Sequence, residues 1–296
     1  MSSTAAHDVV GTREPLAGVG STEEGDCFAA VEQAVEGLGG EPGLVLIFPT
    51  GVFDPAEAAA QARAAAGDAQ VVGMTGTGAI TADGAIATGC SAIAFNASMP
   101  FGVGISASVD PREAGRVAAE EALAAAETRN GHPLLLLFVD SESGDQAEIV
   151  AGAYDIAGGH IPLAGGAAGG AVRAQFADGR AVPGSVIAVA ILAPGPVGIG
   201  IAHGCVPRST PSIVTRANGT TLLQLDGRPA EEVYLEKLGL DGVQLSDAEF
   251  DAVAMIHPIA EPALSGEVLP RYLRTRAPGG GLVCATSIEP NAGKAQ

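Results

Sequence analysis

The chain has 296 residues, of which 47% are hydrophobic, and it carries a formal net charge of −19. That apolar share excludes disorder for the bulk of the chain and supplies the core of one large domain or two. Only 4% of residues are aromatic and none is tryptophan, so the core is built from Ala, Val, Ile and Leu. The negative field repels a phosphate backbone and an anionic lipid surface, which argues against nucleic acid and anionic membranes as partners.

Residues 1–13 read as a flexible terminus without the basic start and apolar run of a signal peptide. No stretch is long enough for a membrane span, so a cytoplasmic location is expected. A strand over 16–20 leads to a helix near 24–38, with Ser21 to Glu24 as a capping box. Phe28, Val31, Val35 and Leu38 fall on one face of that helix. "LVLIF" (Leu44 to Phe48) is the continuous apolar run of a parallel strand buried on both faces. "DPAE" (Asp54 to Glu57) then combines an N-cap Asp, a proline at the first helical position and a Glu in the first turn. "DPRE" (Asp110 to Glu113) repeats it before an alanine-rich helix, 111–128. Strands over 79–89, 91–98 and 101–109 follow at hairpin distances, so the sheets are mixed.

The chain also resembles itself. Setting Phe48 on Phe138 gives an offset of 90 that carries "GLVLIFPTG" onto "PLLLLFVDS". The same offset puts Val71 opposite Ile161 and Gly76 opposite Gly166, while "SAIAF" (Ser91) meets "SVIAV" (Ser185) after a short insertion. "PFGVGISA" (Pro100) meets "PVGIGIAH" (Pro196). The fold class is therefore α/β, with duplicated β-α-β-α-β-β-β units, about 16–99 and 100–195, forming mixed sheets flanked by helices. A smaller α+β portion follows. In it "IVTRANGTTLLQL" is a hairpin around Asn218-Gly219 of type I′. "RPAEEVYLEKLG" is a helix between Pro229 and Gly239. "DAVAMIHP", "RYLRT" and "GLVCATSI" read as strands, and 288–296 as a loose end.

The chemistry is sparse. Cys27, Cys90, Cys205 and Cys284 lie far apart without metal-site spacing, and they read as reduced core thiols with no metal expected. "GGAAGG" lacks the spacing of a dinucleotide loop, and neither a phosphate loop nor a GxSxG elbow occurs; no cofactor is expected. Cys90, or Cys205 beside His203, keeps open a thiol-dependent acyl-transfer enzyme. The leading alternative is binding without catalysis. Ligands of parallel sheets sit outside the carboxyl ends of the strands. That edge gathers Thr50 and Asp54 from the first copy and Asp140, Ser141 and Ser143 from the second. Two glycine turns join them, Thr75-Gly76-Thr77 and Gly165-Gly166-Ala167, whose amides suit a carboxylate. Asp140, at the end of "LLLLFV", suits an ammonium group; His203, ending the strand "VGIGIA", is a pocket donor. The second copy is expected to carry the site, because Pro49 and Phe53 narrow the first.

"LVLIFPTG", "VVGMTGTGAI", "AYDIAGGHIPLAGGAAGG", "IAHGCVPRSTPSIVTRANGTTLLQLDGRPAEEVY" and "YLRT" together resemble the FIST family of sensory domains, from about residue 16 to 285. The resemblance implies a FIST N-terminal domain over 14–208 and a partial FIST C-terminal unit over 209–296. It implies a small-molecule ligand, an amino acid or other small carboxylate, and signalling through a protein partner in place of catalysis. It carries no catalytic residue to these positions. A third reading is an interaction module that has lost its ligand. The sequence departs from the family in its first glycine turn, Thr75 to Ala79, where polar or acidic residues are common, and in ending at Gln296.

Overall fold

The computed structural model describes residues 15–126, 131–262, 268–288, 290 and 294–295. The expected flexible stretch 1–13, the last residues of the helix 111–128 and part of the end 288–296 lie outside the described residues. Two compact units are present. One comprises the chain to Ile105 with Glu121–Asp140 and Leu163–Val197, the other Ser106–Glu120, Ser141–Pro162 and the chain from Gly198.

Along the chain the elements run first β1 (Ala17–Thr22), α1 (Cys27–Leu38), β2 (Pro42–Pro49), α2 (Pro55–Ala66), β3 (Gln70–Met74), β4 (Ala79–Thr81), β5 (Gly84–Ile86) and β6 (Cys90–Asn96). The second run is β7 (Phe101–Ser106), α3 (Pro111–Ala125), β8 (His132–Asp140), α4 (Gln146–Ala157), β9 (Leu163–Ala168), β10 (Gln175–Ala177), β11 (Arg180–Ala181) and β12 (Val186–Ala193). The strand order β1-β6-β2-β3 recurs as β7-β12-β8-β9. In both sheets the third strand is parallel to the fourth and antiparallel to the second. Topology therefore repeats along with sequence.

Both faces of the first sheet are buried, as the run "LVLIF" requires. Val45, Ile47, Val71, Ala92 and Ala94 pack under α1 and α2. Leu44, Leu46 and Val72 on the other face meet Phe138, Ile187 and Val189 of the second sheet. There Phe48 and Phe138 stack edge to face at 5.8 Å between ring centroids. Asp54 caps α2 by accepting from the Ala56 and Glu57 amides, and Asp110 Oδ1 accepts from Glu113 N at 2.8 Å. The cap of α1 is Asp26. Ser21 and Thr22 belong to β1, so the expected capping box is absent, and Phe28 is largely exposed because Cys27, Ala30, Val31, Ala34 and Leu38 form the buried face.

Gly165 to Ala168 of the glycine run are strand and not turn. Leu163 to Ala168 form β9, paired with β8 so that Leu137 faces Gly165 and Asp140 faces Ala168. A Cβ on Gly165 would stand 2.0 Å from the Leu137 carbonyl oxygen, and one on Gly73 of β3 would stand 1.9 Å from that of Ile47. Both glycines thus permit close strand pairing. The pairing also corrects the register of the repeat. Ile47 faces Gly73 as Leu137 faces Gly165, so the offset is 90 on β2 and β8 but 92 on β3 and β9. It reaches 96 on β6 and β12, where Ala92 faces Ile47 and Ala188 faces Leu137. Gly76 thus corresponds to Ala168 and not Gly166, Thr50 to Asp140, and Ser91 to Ile187 and not Ser185.

One element breaks the symmetry. β10 and β11 form a hairpin that extends the first sheet, Phe176 pairing with Gly73 of β3. Their counterparts β4 and β5, read from sequence as one strand over 79–89, also form a hairpin, but it joins no larger sheet.

In the second unit, β13 (Ser212–Asn218) and β14 (Thr221–Leu225) form the expected hairpin. Asn218 pairs with Thr221, leaving Gly219-Thr220 as the turn, and only Gly219 has positive φ. A type I′ turn needs two such residues, so that assignment is corrected. β15 (Arg228–Pro229) leads into α5 (Ala230–Lys237), which ends before Gly239 at φ +71. "DAVAMIHP" is not a strand. It lies in α6 (Asp247–Ile256), opened by a full capping box between Ser246 and Glu249, with Phe250 and Ala254 buried one turn apart. β16 (Ile259–Pro262) pairs with β17 (Val268–Arg271), and β18 (Leu273–Ala277) with β19 (Gly281–Cys284). β20 (Lys294–Ala295) adds to β13. Residues 196–207 form no strand, so His203 does not end one; Gly198, Gly200 and Gly204 have no neighbour where a Cβ would stand. Among the described residues no helix is long and apolar enough to cross a membrane.

Candidate functional site

Beyond the carboxyl ends of β2 and β3 the chain is tied together by backbone hydrogen bonds. Thr50 N donates to Gly89 O at 2.8 Å, and Gly76 N to Pro49 O at 2.9 Å. The segment after β9 then wraps these ends. Gly169 N donates to Thr75 O at 2.9 Å, Val172 N to Gly51 O at 2.8 Å, and Thr75 N to Ala174 O at 2.9 Å. Thr75 Oγ1 accepts from Ala174 N at 3.1 Å. Thr75 is 1% exposed, and its hydroxyl and both backbone groups are engaged in this staple. Gly170 belongs to the same packing, since a Cβ there would stand 2.6 Å from Gly51 Cα.

Beside the staple lies a groove of about 950 Å³. Its apolar floor includes Val19 of β1, Phe48, Met74 and Ile93, and its far side is the β4–β5 hairpin with Ile80 and Asp83. Thr75, Gly76, Thr77 and Ala167, four of the residues expected from sequence, line it. Among the described residues the Thr77 and Gly78 amides have no hydrogen-bond partner. The equivalent of Thr77 in the second copy, Gly169, has its amide committed to Thr75 O. One loop is therefore consumed in the fold, and the other keeps its donors. The lining contains no Lys or Arg, and Asp83 is its one carboxylate.

The remaining expected residues lie outside this groove. Asp140 is 8% exposed and its Oδ1 stands 3.8 Å from Arg173 Nε. Ser141 O accepts from Gln146 Nε2 at 3.2 Å, and Ser143 is half-buried in the same turn. Gly165 and Gly166 belong to β9, where a Cβ on Gly166 would stand 2.8 Å from Met74 Cε. His203 is exposed, donates Nε2–H to the Val268 carbonyl at 2.8 Å, and accepts on Nδ1 from Cys205 N at 3.3 Å.

The thiols are mostly buried. Cys27 and Cys90 are fully buried against each other, and the hydrogen bond between them together with burial pushes the Cys90 thiol up. A nucleophilic thiol needs the opposite shift. Burial likewise pushes the Cys284 thiol up to about 12.

Reasoning from sequence missed the floor of the groove and its hairpin. Phe48, Met74 and Ile93 sit in runs that read simply as core, and only the pairing of sheets shows which of their ends stays open. The hairpin had a signal in Asp83-Gly84 after the apolar Ala79-Ile80.

No curated protein matches the chain. Residues 43–228, more than half of its length, match the FIST N domain, and the chain belongs to that family.

Proposed function

We propose that the chain is a non-catalytic binding protein in signal transduction whose small ligand occupies the groove beside Thr77. The unengaged amides of Thr77 and Gly78 beside an apolar floor carry this reading. Paired backbone amides hold a carboxylate without a cation, the apolar floor takes an aliphatic or aromatic body, and Asp83 offers a partner for an ammonium group. Amino acids combine all three, which makes them the first class to test. The site then rests mainly on the first copy, and Asp140, with Arg173 beside it, serves the fold. Residues 14–208 act as the ligand-binding domain and 209–296 as a partial FIST C-terminal unit that passes the signal to a protein partner, in the cytoplasm.

Thermal-shift titration of the purified protein with single amino acids and small carboxylates tests this. Ligand at a hundredfold over Kd adds about 2.7 kcal/mol to the native state, a shift readily seen. A flat response across the panel from folded protein overturns the reading.

A further inference from the structure

We infer that the edge of β9 is a docking site for the β4–β5 hairpin, and that docking closes the groove by using the Thr77 amide that a ligand would use. The inference rests on the symmetry of the two copies. It stands whether or not the ligand is an amino acid.

The second copy shows the docked form. Its hairpin, β10–β11, pairs antiparallel with β3, setting Gln175, Phe176 and Ala177 opposite Met74, Gly73 and Val72. Within the hairpins Ala79, Ile80 and Thr81 correspond to Gln175, Phe176 and Ala177. On the receiving strands Met74, Gly73 and Val72 correspond to Gly166, Gly165 and Ala164. The mirrored docking therefore has a defined register: Ala79 opposite Gly166, Ile80 opposite Gly165, and Thr81 opposite Ala164. In each pair a large apolar residue faces a glycine, Phe176 on Gly73 and Ile80 on Gly165. Phe176 is fully buried, whereas Ile80 is 82% exposed. Among the described residues β9 has β8 as its strand neighbour on one side and none on the other.

The connection is long enough. Only Thr77 and Gly78 link Gly76 to β4, against six residues, Gly169 to Ala174, between β9 and β10. Of those six, Gly169 and Ala174 both hydrogen-bond Thr75, and the four between them make an excursion past Gly51 and back. Removing the excursion leaves two residues, as in the first copy. Thr77 then corresponds to Gly169, Gly78 to Ala174, and Ala167 to Thr75. Docking would have Thr77 N–H donate to Ala167 O, as Gly169 N–H donates to Thr75 O. Thr77 already lies against this place, since a Cβ on Gly169 would stand 2.9 Å from Thr77 Cγ2. Ligand and hairpin thus compete for the Thr77 amide, while Gly78 N–H, the counterpart of Ala174 N–H, finds no hydroxyl at Ala167; a bound ligand holds the hairpin in the open position.

The test is a disulfide trap in the full chain carrying Cys205→Ser, which removes the half-buried native thiol. Residues directly opposite in an antiparallel pair meet the distance limits of a disulfide. Thr81→Cys with Ala164→Cys is expected to cross-link under a glutathione redox buffer without any ligand, as read by peptide mapping. Thr81→Cys with Leu163→Cys, one residue out of register, is expected to stay reduced. Absence of the first link in folded protein, or equal linking of both pairs, overturns the inference. Failure of the amino-acid titration leaves this outcome untouched, so the two readings fail separately.

Discussion

Replacing Thr75 by Val separates a structural staple from a ligand contact. The side chains are nearly isosteric, so packing is kept while the acceptor for Ala174 N–H, now at 3.1 Å from Oγ1, is lost. Thr75 and Ala174 are each 1% exposed, so water does not replace it. A buried donor left without a partner costs about 1–3 kcal/mol. For a unit of this size each kcal/mol lowers the melting temperature by about 2–4 °C, giving a loss of about 2–12 °C. Calorimetry measures the loss, and amide exchange at Ala174 should quicken by the same free energy. Ligand response should survive in Thr75→Val at a temperature where the variant is folded. Unchanged melting together with lost response would refute the staple and make Thr75 a ligand contact.

Further outcomes follow from the same structure. Gly73→Ala and Gly165→Ala should each destabilise by at least about 1–3 kcal/mol, because the added Cβ meets the carbonyl oxygen of Ile47 or Leu137 at 1.9 or 2.0 Å; urea titration measures it, and a neutral Gly165→Ala would refute the β8–β9 pairing. Stability of the second unit should fall as pH rises from about 9 towards 12. There the unfolded chain ionises Cys284 while the native state, its thiol pushed up to about 12 by burial, does not. Burial pushes Tyr234 up to about 12 as well, which adds to the fall above its ordinary value near 10. Urea midpoints across that range should flatten in Cys284→Ala, and an unaltered slope would refute the assignment.

Local signals carried much of the fold. "LVLIF" reads as a two-faced strand because every residue in it is apolar, and Asp54-Pro55 reads as a helix start because side-chain capping is local chemistry. The duplication was legible for the same reason. What could not be read depends on partners distant in sequence. The glycines of β9 look like a flexible turn until Leu137 and Met74 are placed against them. The slips of two and four residues between the copies arise in connections, where insertion costs little. α6 reads as a strand because "AVAMI" is apolar throughout, although Ser246 and Glu249 offer the cap. The groove is open for a reason local sequence does not hold: one hairpin docks on the neighbouring sheet and its twin does not.

The most direct measurement compares Ser91→Phe with Asp140→Asn in the amino-acid titration. Ser91 lines the groove, where a phenyl ring would occupy the space beside Phe48, whereas Asp140 lies outside it. With both variants folded, the account predicts that Ser91→Phe abolishes the ligand-induced shift in melting temperature and Asp140→Asn keeps it. Loss of the shift in Asp140→Asn with retention in Ser91→Phe would contradict the account and move the site to the second copy.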